Sequence, residues 1–481
     1  MEEERAYRIE RDFLGEKPIP QEHYWGIHTE RARENFPLFV SPPLLLVKAF
    51  FAVKWACARA NLEIGLLPED KAIAILKACE EGMAGRFQGE IVVSILQGGA
   101  GTSLNMNLNE VIANRALELL GFARGRYDVI NPFDTVNLSQ STNDTFPTAV
   151  RIAMLWGIED LEKAIVRLQE ALQEKEREFA SIIKVGRTEL QDAVPVTLGM
   201  EFGAWAEAIT RDRWRIWKGK ERMKEINLGG TAVGTGLNAH PLYATKAVSA
   251  LREITGLPLA RSMNAFENTQ NLDTFAEVSG LLKALAISLR KIANDLRLLS
   301  MGPRAGIGEI LLPPLQEGSS IMPGKVNPVM CEYLEGLAID VMGKDCALGF
   351  ACSSGNLELN HLLPFIAFFI LSMIEELTVG VSVFTEKCVV NIVADQKCCE
   401  ELLHRSFALA THIVPYLGHE QTTALVRECL KQGRTLRDLL LEKGLFSPEE
   451  LEIILSPVEF LKPGIPGLEK LGKKHAGDHS A

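Results

Sequence analysis

The chain contains no Cys-X-X-Cys pair, and its nine cysteines are an odd number scattered over 481 residues. Neither a disulfide framework nor a zinc knuckle is built that way, so the thiols are expected to be reduced, as in a cytoplasmic protein. Nine histidines are equally scattered and lack His-Glu-X-X-His or similar ligand spacing. No metal site is expected. Positive charge is also short: the formal net charge of -11 argues against a nucleic-acid partner, which needs a cationic surface to displace counterions. A small anionic substrate remains compatible, because it needs only a few local cations such as Lys325. Long apolar runs are missing as well. The longest, Leu362 to Ile374, contains Pro364 and falls short of the ~20 residues of a membrane span, so it is read as a core helix and no membrane partner is expected. MEEERAYRIERDF is charged and acidic where an export signal would be basic and then apolar.

Strand signals are sparse, and no regular alternation of strand and helix appears. Long helical patterns are present instead. NLDTFAEVSGLLKALAISLRKIANDLRLLS repeats apolar residues at three-and-four spacing, as in Leu281, Leu282, Leu285, Ile287, Leu289, Ile292 and Leu296. EDLEKAIVRLQEALQEKEREFASII carries Leu161, Ile165, Leu168 and Leu172 on one stripe with charges opposite. Both stripes read as core packing of long rods, which predicts an all-α protein built on a helix bundle. Composition shifts near residues 143 and 395 suggest three helical domains: 1–143, a central long-helix domain 144–395, and a small C-terminal domain 396–481. The terminal LGKKHAGDHSA is short, polar and glycine-bearing, and order is not expected there. GTGLNA (234–239) fits a loosened dinucleotide fingerprint but lacks the strand–turn–helix context, so a tight glycine turn before a helix is expected.

Four polar loops stand out: GGAGTSLNMNLNE (98–110), SQSTNDTFPTA (139–149), GRTELQDAVPVTLG (186–199) and QEGSSIMPGKVNPVM (316–330). The last is not a phosphate-binding loop, because five residues separate Gly318 from Gly324 and Val326 stands where Ser or Thr would hold magnesium. Taken singly, each of the first three reads as a helix N-cap, with Thr102, Ser103, Ser141, Thr142, Asn143 and Thr188 near helix starts. Taken together they also read as carboxylate sites, since free N–H groups, a positive dipole end and hydroxyl donors gather at a helix start. With Lys325 and Asn327 they would hold a substrate bearing two carboxylates.

GSSIMPGKVNP resembles the signature of the aspartase/fumarase superfamily, and the similarity runs from RIERDFLGEKPIPQEHYWGIHTERARENF near the start to VEFLKPGIPG near the end. GGAGTSLNMN, GIHTERA, NDLRLLSMGPRAG and NPVM are similar to the aspartase branch; LGGTAVGTGLNAHP and SSGNLELN are more like the fumarase branch. The resemblance implies α-helical homotetramers whose central domains form a twenty-helix bundle, with each active site drawn from three subunits. It implies anti elimination across a Cα–Cβ bond to give fumarate, with loss of ammonia in the aspartase branch and of water in the fumarase branch. No organic cofactor is expected, and an activating divalent metal is left open.

Carried onto this sequence, the resemblance makes Ser319 the general base, acting as its alkoxide, with Ser320 beside it. Lys325, Asn327 and Thr188 match groups on the α-carboxylate. Thr102, Ser141 and Thr142 match those on the β-carboxylate, where the enediolate forms. Asn143 matches a contact to the amino group, and Glu332 a supporting acid near the loop. Glu189 departs from the pattern, since His or Gln is expected at that place in Gly-Arg-Thr-X-X-Gln-Asp. A carboxylate there suits an ammonium-bearing substrate; the alternatives are a side chain turned away into a structural salt bridge and a substrate that is an amine-substituted succinate other than aspartate. Superfamily members that serve as lens structural proteins offer a non-catalytic reading, against which stand the intact Ser319, Lys325 and Asn327.

Overall fold

A computed structural model describes residues 6–456, 459 and 462–471; the C-terminal tail discussed above lies outside them apart from Leu471. Helix dominates, as expected. The chain opens with an antiparallel hairpin, β1 (Tyr7–Asp12) and β2 (Gly15–Pro20), followed by α1 (Ile27–Asn35), α2 (Leu44–Glu63), α3 (Glu69–Met83), α4 (Thr102–Leu119) and α5 (Thr142–Glu178). A second hairpin, β3 (Ile183–Thr188) and β4 (Gln191–Thr197), precedes α6 (Leu198–Met223), α7 (Tyr243–Thr255), α8 (Ala265–Gln270) and α9 (Asp273–Leu299). Next come α10 (Val329–Cys352), α11 (Leu363–Lys387), α12 (Gln396–Arg405), α13 (Ala410–Leu417), α14 (His419–Gln432), α15 (Leu436–Glu442) and α16 (Pro448–Ile454).

The expected stripes are buried. Leu161, Ile165, Leu168 and Leu172 are fully inaccessible along α5, and Leu282, Leu285, Leu289, Ile292 and Leu296 are buried along α9. Ile287 of the same expected stripe is 53% exposed, on the opposite face of α9. The segment Leu363–Asn391 is long and apolar enough to cross a membrane by length and composition alone, yet half of its most apolar window is buried within the chain. That burial fits a core helix.

Two compact units are present. The first comprises Met1–Val166, Arg211–Leu289 and Gly336–Val381. Within it α2 packs against α3 and α7, and α3 against α4. The second comprises Arg167–Thr210, Arg290–Glu335 and Ser382–Ala481. Within it β3 packs on α12 and the turn after it, through Val185, Leu403 and Ala408, while Ile413, Tyr416, Leu425, Leu439, Leu440, Leu451 and Ile454 belong to a separate small core. Five long helices, α5, α6, α9, α10 and α11, each lend one end to each unit, so the units interleave along the chain.

The sequence expectation placed Thr188 near a helix start, and the structure corrects it. Thr188 is the last residue of β3, and α6 begins ten residues later at Leu198. Glu189 and Leu190 form the two-residue turn between Thr188 and its cross-strand partner Gln191, with φ of 53° and 63°. Two consecutive left-handed residues are what a tight hairpin turn of this kind requires. Neither residue is glycine or asparagine, so nothing in the local composition announces the turn.

Candidate active site

In the first unit, the starts of α4 and α5 are brought together. Gly101, at φ 94°, precedes α4, and a Cβ there would fall 2.3 Å from the Phe146 ring of α5. The close approach lets Asn105 Nδ2 of α4 donate to Thr142 Oγ1 at 3.0 Å. Thr102 is exposed at the first turn of α4, and no side chain caps that helix. Two of the predicted polar clusters therefore meet on one side of this unit.

The first turn of α5 is fixed by Asp144. Its carboxylate accepts from the Ser141 amide at 3.0 Å, the Gly229 amide at 3.1 Å and the Thr231 amide at 2.9 Å, which ties the helix start to the glycine turn before α7. Burial raises the Asp144 carboxyl to about 6, against the opposing pull of those amides. Ser141 Oγ accepts from the Asn143 amide at 3.2 Å, and Asn143 Nδ2 donates to Ala232 O at 2.7 Å. Pro147 lies inside α5 and has no N–H to offer the Asn143 carbonyl. Asn227 Nδ2 supplies the missing donor at 3.0 Å.

In the second unit, the remaining candidates lie on a hairpin tip and a long loop. Thr188 and Glu189 are exposed at the tip, and Glu189 makes no ion pair among the described residues. The hairpin is anchored from below by a buried charge cluster. Arg187 Nη1 lies 3.0 Å from both Glu309 oxygens, Lys184 Nζ lies 3.1 Å from Glu309 Oε2, and Lys184 also holds Glu201 at 2.7 Å. Glu309 and Lys184 are essentially inaccessible, so both charges are compensated where water cannot reach.

The 316–330 loop closes on itself. The Gly318 amide donates to Lys325 O at 2.7 Å, and Asn327 Nδ2 donates to Gly318 O at 2.9 Å. A Cβ at Gly318 would sit 2.8 Å from both Asn327 N and Lys325 O, so only glycine fits. Inside this closure Ser319 Oγ accepts from the Ile321 amide at 3.2 Å and the Met322 amide at 3.0 Å. Two amides aimed at one hydroxyl oxygen stabilise negative charge on it. Ser320 and Lys325 are exposed, and Glu332 is exposed in the first turn of α10. No group of three His, Cys, Asp or Glu side chains able to hold a metal occurs among the described residues.

Sequence reading missed the buried asparagines of α4, of which Asn105 meets Thr142 at the start of α5. Asn105, Asn107, Asn109 and Asn114 are all buried along α4. Asn107 bridges Val92 N and Glu90 O, and Asn114 bridges Gly125 N and Tyr24 O. The Asn-Met-Asn-Leu-Asn run was a usable signal, since a helix bearing three asparagines in five residues turns at least one of them inward.

A family model described as Lyase matches residues 15–343, and one described as Fumarase C C-terminus matches residues 409–462. An aspartate ammonia-lyase of Bacillus subtilis is 45% identical over 471 residues, which is 98% of this chain and 99% of that protein. A class II fumarate hydratase of Bacillus cereus is 42% identical over 459 residues, 95% of this chain and 99% of that one. The solved structure of a fumarate lyase:delta crystallin from Brucella melitensis bound to cobalt superposes with a TM-score of 0.92 at 45% identity, covering 95% of this chain and all of that one.

Proposed function

The chain belongs to the aspartase/fumarase superfamily, and from that premise we propose that it is an aspartate ammonia-lyase, releasing ammonia from L-aspartate by reversible anti elimination to give fumarate. The observation that carries the chemistry is the closed 318–327 loop, in which two backbone amides converge on Ser319 Oγ. Removing a proton beside a carboxylate loads a second negative charge onto that group. The base must be strong, and the enediolate must meet preorganised donors, each worth ~3 kcal/mol.

Ser319 takes the Cβ proton as its alkoxide, with Ser320 as its neighbour in the loop. Lys325, Asn327 and Thr188 receive the α-carboxylate. Thr102, Ser141 and Thr142 receive the β-carboxylate, and Asn143 the amino group. Asn327 and Asn143 each donate one N–H, to Gly318 O and Ala232 O respectively, which leaves the second N–H of Asn327 for a carboxylate and the Oδ1 of Asn143 to accept from an ammonium. Glu189, exposed and without an ion pair among the described residues, is free to face an ammonium. Attraction across ~4 Å is about 4 kcal/mol at an intermediate dielectric before desolvation is deducted. The same carboxylate would repel malate, which carries no cation. Glu332 supports the loop from the start of α10.

Assembly as a cytoplasmic homotetramer, each site drawing loops from three copies, is part of this proposal. So is the division into segments 1–143, 144–395 and 396–481 as N-terminal, bundle and C-terminal domains. Apolar side chains exposed along the long helices support packing against further copies: Trp214 on α6, Ile287 on α9, and Ile339 and Phe350 on α10 are 51–72% exposed. The deciding experiment mixes purified protein with fumarate plus ammonium, and separately with fumarate alone. Loss of fumarate absorbance only in the first supports the aspartase reading; loss without ammonium makes the protein a fumarase.

A further inference from the structure

Lys54 lies in the middle of α2 and is 1% exposed, in the stretch Ala-Phe-Phe-Ala-Val-Lys-Trp-Ala-Cys, whose other members are at most 8% exposed. A lysine buried so deeply is ordinarily paired with a carboxylate. Here no carboxylate lies within ion-pair distance among the described residues. The Nζ donates to two neutral oxygens, Asn137 Oδ1 at 2.9 Å and Gln140 Oε1 at 2.8 Å.

Those two oxygens belong to the loop that delivers Ser141 and Thr142. Asn137 Oδ1 also accepts from Asn105 Nδ2 at 3.3 Å and Asn109 Nδ2 at 3.1 Å, and the same Asn105 amide reaches Thr142 Oγ1. Gln140 Nε2 donates to Val136 O at 2.9 Å and Leu138 O at 3.2 Å. Two turns further along α2, Asn61 donates to Leu138 O at 3.0 Å and accepts from Ser139 Oγ at 2.9 Å. Ser139 itself is held at φ 63°, a conformation that persists only when its surroundings over-determine it.

We propose that Lys54 is a positioning residue: its buried ammonium locks the 137–140 loop through Asn137 and Gln140, and so sets Ser141 and Thr142 where a substrate carboxylate is received. The proposal rests on the reading of those two hydroxyls as carboxylate donors, whatever the leaving group. A buried cation lacking an ion-pair partner in contact also favours an anion arriving at the adjacent helix starts.

The titratable groups facing Lys54 are Asp144 from α5, Cys79 from α3 and Cys57 from α2 itself, with Tyr243 of α7 beside Cys57 and Asp144. Burial lowers Lys54 to about 8, lifts Cys57 to about 12, and pushes Cys79 and Tyr243 upward. Both thiols and the phenol therefore stay neutral near pH 7. Between about 6 and about 8 the surroundings hold one cation, Lys54, and one anion, Asp144.

The experiment compares the full-length protein with Lys54→Met and Gln140→Leu. Wild-type kcat/KM for aspartate is expected to fall as pH rises through about 8. Lys54→Met should lose about 30-fold or more at pH 7 and lack that alkaline limb, and Gln140→Leu should move the same way by a smaller factor. Calorimetric affinity for succinate, a dicarboxylate that does not react, should drop about tenfold in Lys54→Met. A folded Lys54→Met with kcat/KM and succinate affinity within threefold of wild type overturns the proposal. If Lys54→Met does not fold, an unchanged Gln140→Leu overturns it in its place. Should wild type bind succinate yet leave aspartate intact, the aspartase reading fails and the succinate comparison still decides the role of Lys54.

Discussion

Replacing Ser319 by alanine tests the proposed base most directly. In the structure Ser319 Oγ accepts from two backbone amides, at 3.0 and 3.2 Å. A hydrogen bond to a charged group is worth ~1.5–3 kcal/mol and one to a neutral group ~1 kcal/mol, so each amide favours the alkoxide over the hydroxyl by about 1–1.5 kcal/mol. Two of them lower the hydroxyl by about two pKa units. That falls short of what carries an aliphatic alcohol to neutrality, and the remainder is left to Lys325 and to the exclusion of water by bound substrate. Without the oxygen, the proton-transfer contribution of ~10²–10⁴ disappears, and kcat should fall about a thousandfold. Stability should hardly move. Ile321 is 84% and Met322 48% exposed, so their orphaned amides turn to water at a cost below about 1 kcal/mol. Fumarate release followed by ultraviolet absorbance gives the rate, and urea denaturation gives the stability. A variant retaining more than a tenth of wild-type kcat would mean that another group takes the proton.

If Glu189 faces the ammonium, Glu189→Gln should raise KM for aspartate about tenfold or more with a smaller change in kcat; an unchanged KM, measured by initial rates, would assign the side chain no contact with substrate. Glu110 supplies a pH test of the fold. Its buried carboxylate accepts the Gly26, His28 and Thr29 amides and the Thr29 hydroxyl, and burial, with nearby Glu10, raises it to about 7 from 4.5. The folded state thus holds that proton more tightly than the unfolded chain. The resulting stability is fully present below pH 4.5 and is lost as pH rises through about 7, by about 3 kcal/mol at most. Urea unfolding at pH 5 and pH 8 should show this loss in wild type and not in Glu110→Gln; parallel behaviour of the two would rule out Glu110 as its source.

Much of the architecture was legible because long amphipathic stripes leave few alternatives. Leu161, Ile165, Leu168 and Leu172 repeat with the helical period, and burying them needs nothing but a partner surface. The 316–330 loop was equally readable, since two prolines and two glycines there can hardly form anything else. Thr188 was misplaced for a physical reason: its hairpin turns on Glu189 and Leu190, whose left-handed backbone is imposed by strand pairing and by the Arg187–Glu309 anchor beneath. Tertiary context overrode local preference. Lys54 could not be read as buried, because a lysine in an apolar helix is normally expected to snorkel to water. The compact units divide the long helices along their length, a property of contacts that composition does not record.

One of the contacts that attach the start of α5, that of Asn227 to the Asn143 carbonyl, depends on a donor that is missing. With any other residue at 147, the chain's own N–H would claim the Asn143 carbonyl, and Asn227 would have to compete for it. Proline keeps that acceptor vacant for a visitor from a distant stretch of sequence, so the helix is latched from outside at the very residue assigned to the amino group. A residue usually regarded as a helix breaker here acts as a reserved socket, and the backbone of one recognition residue is held through an acceptor left open by an atom that proline does not possess.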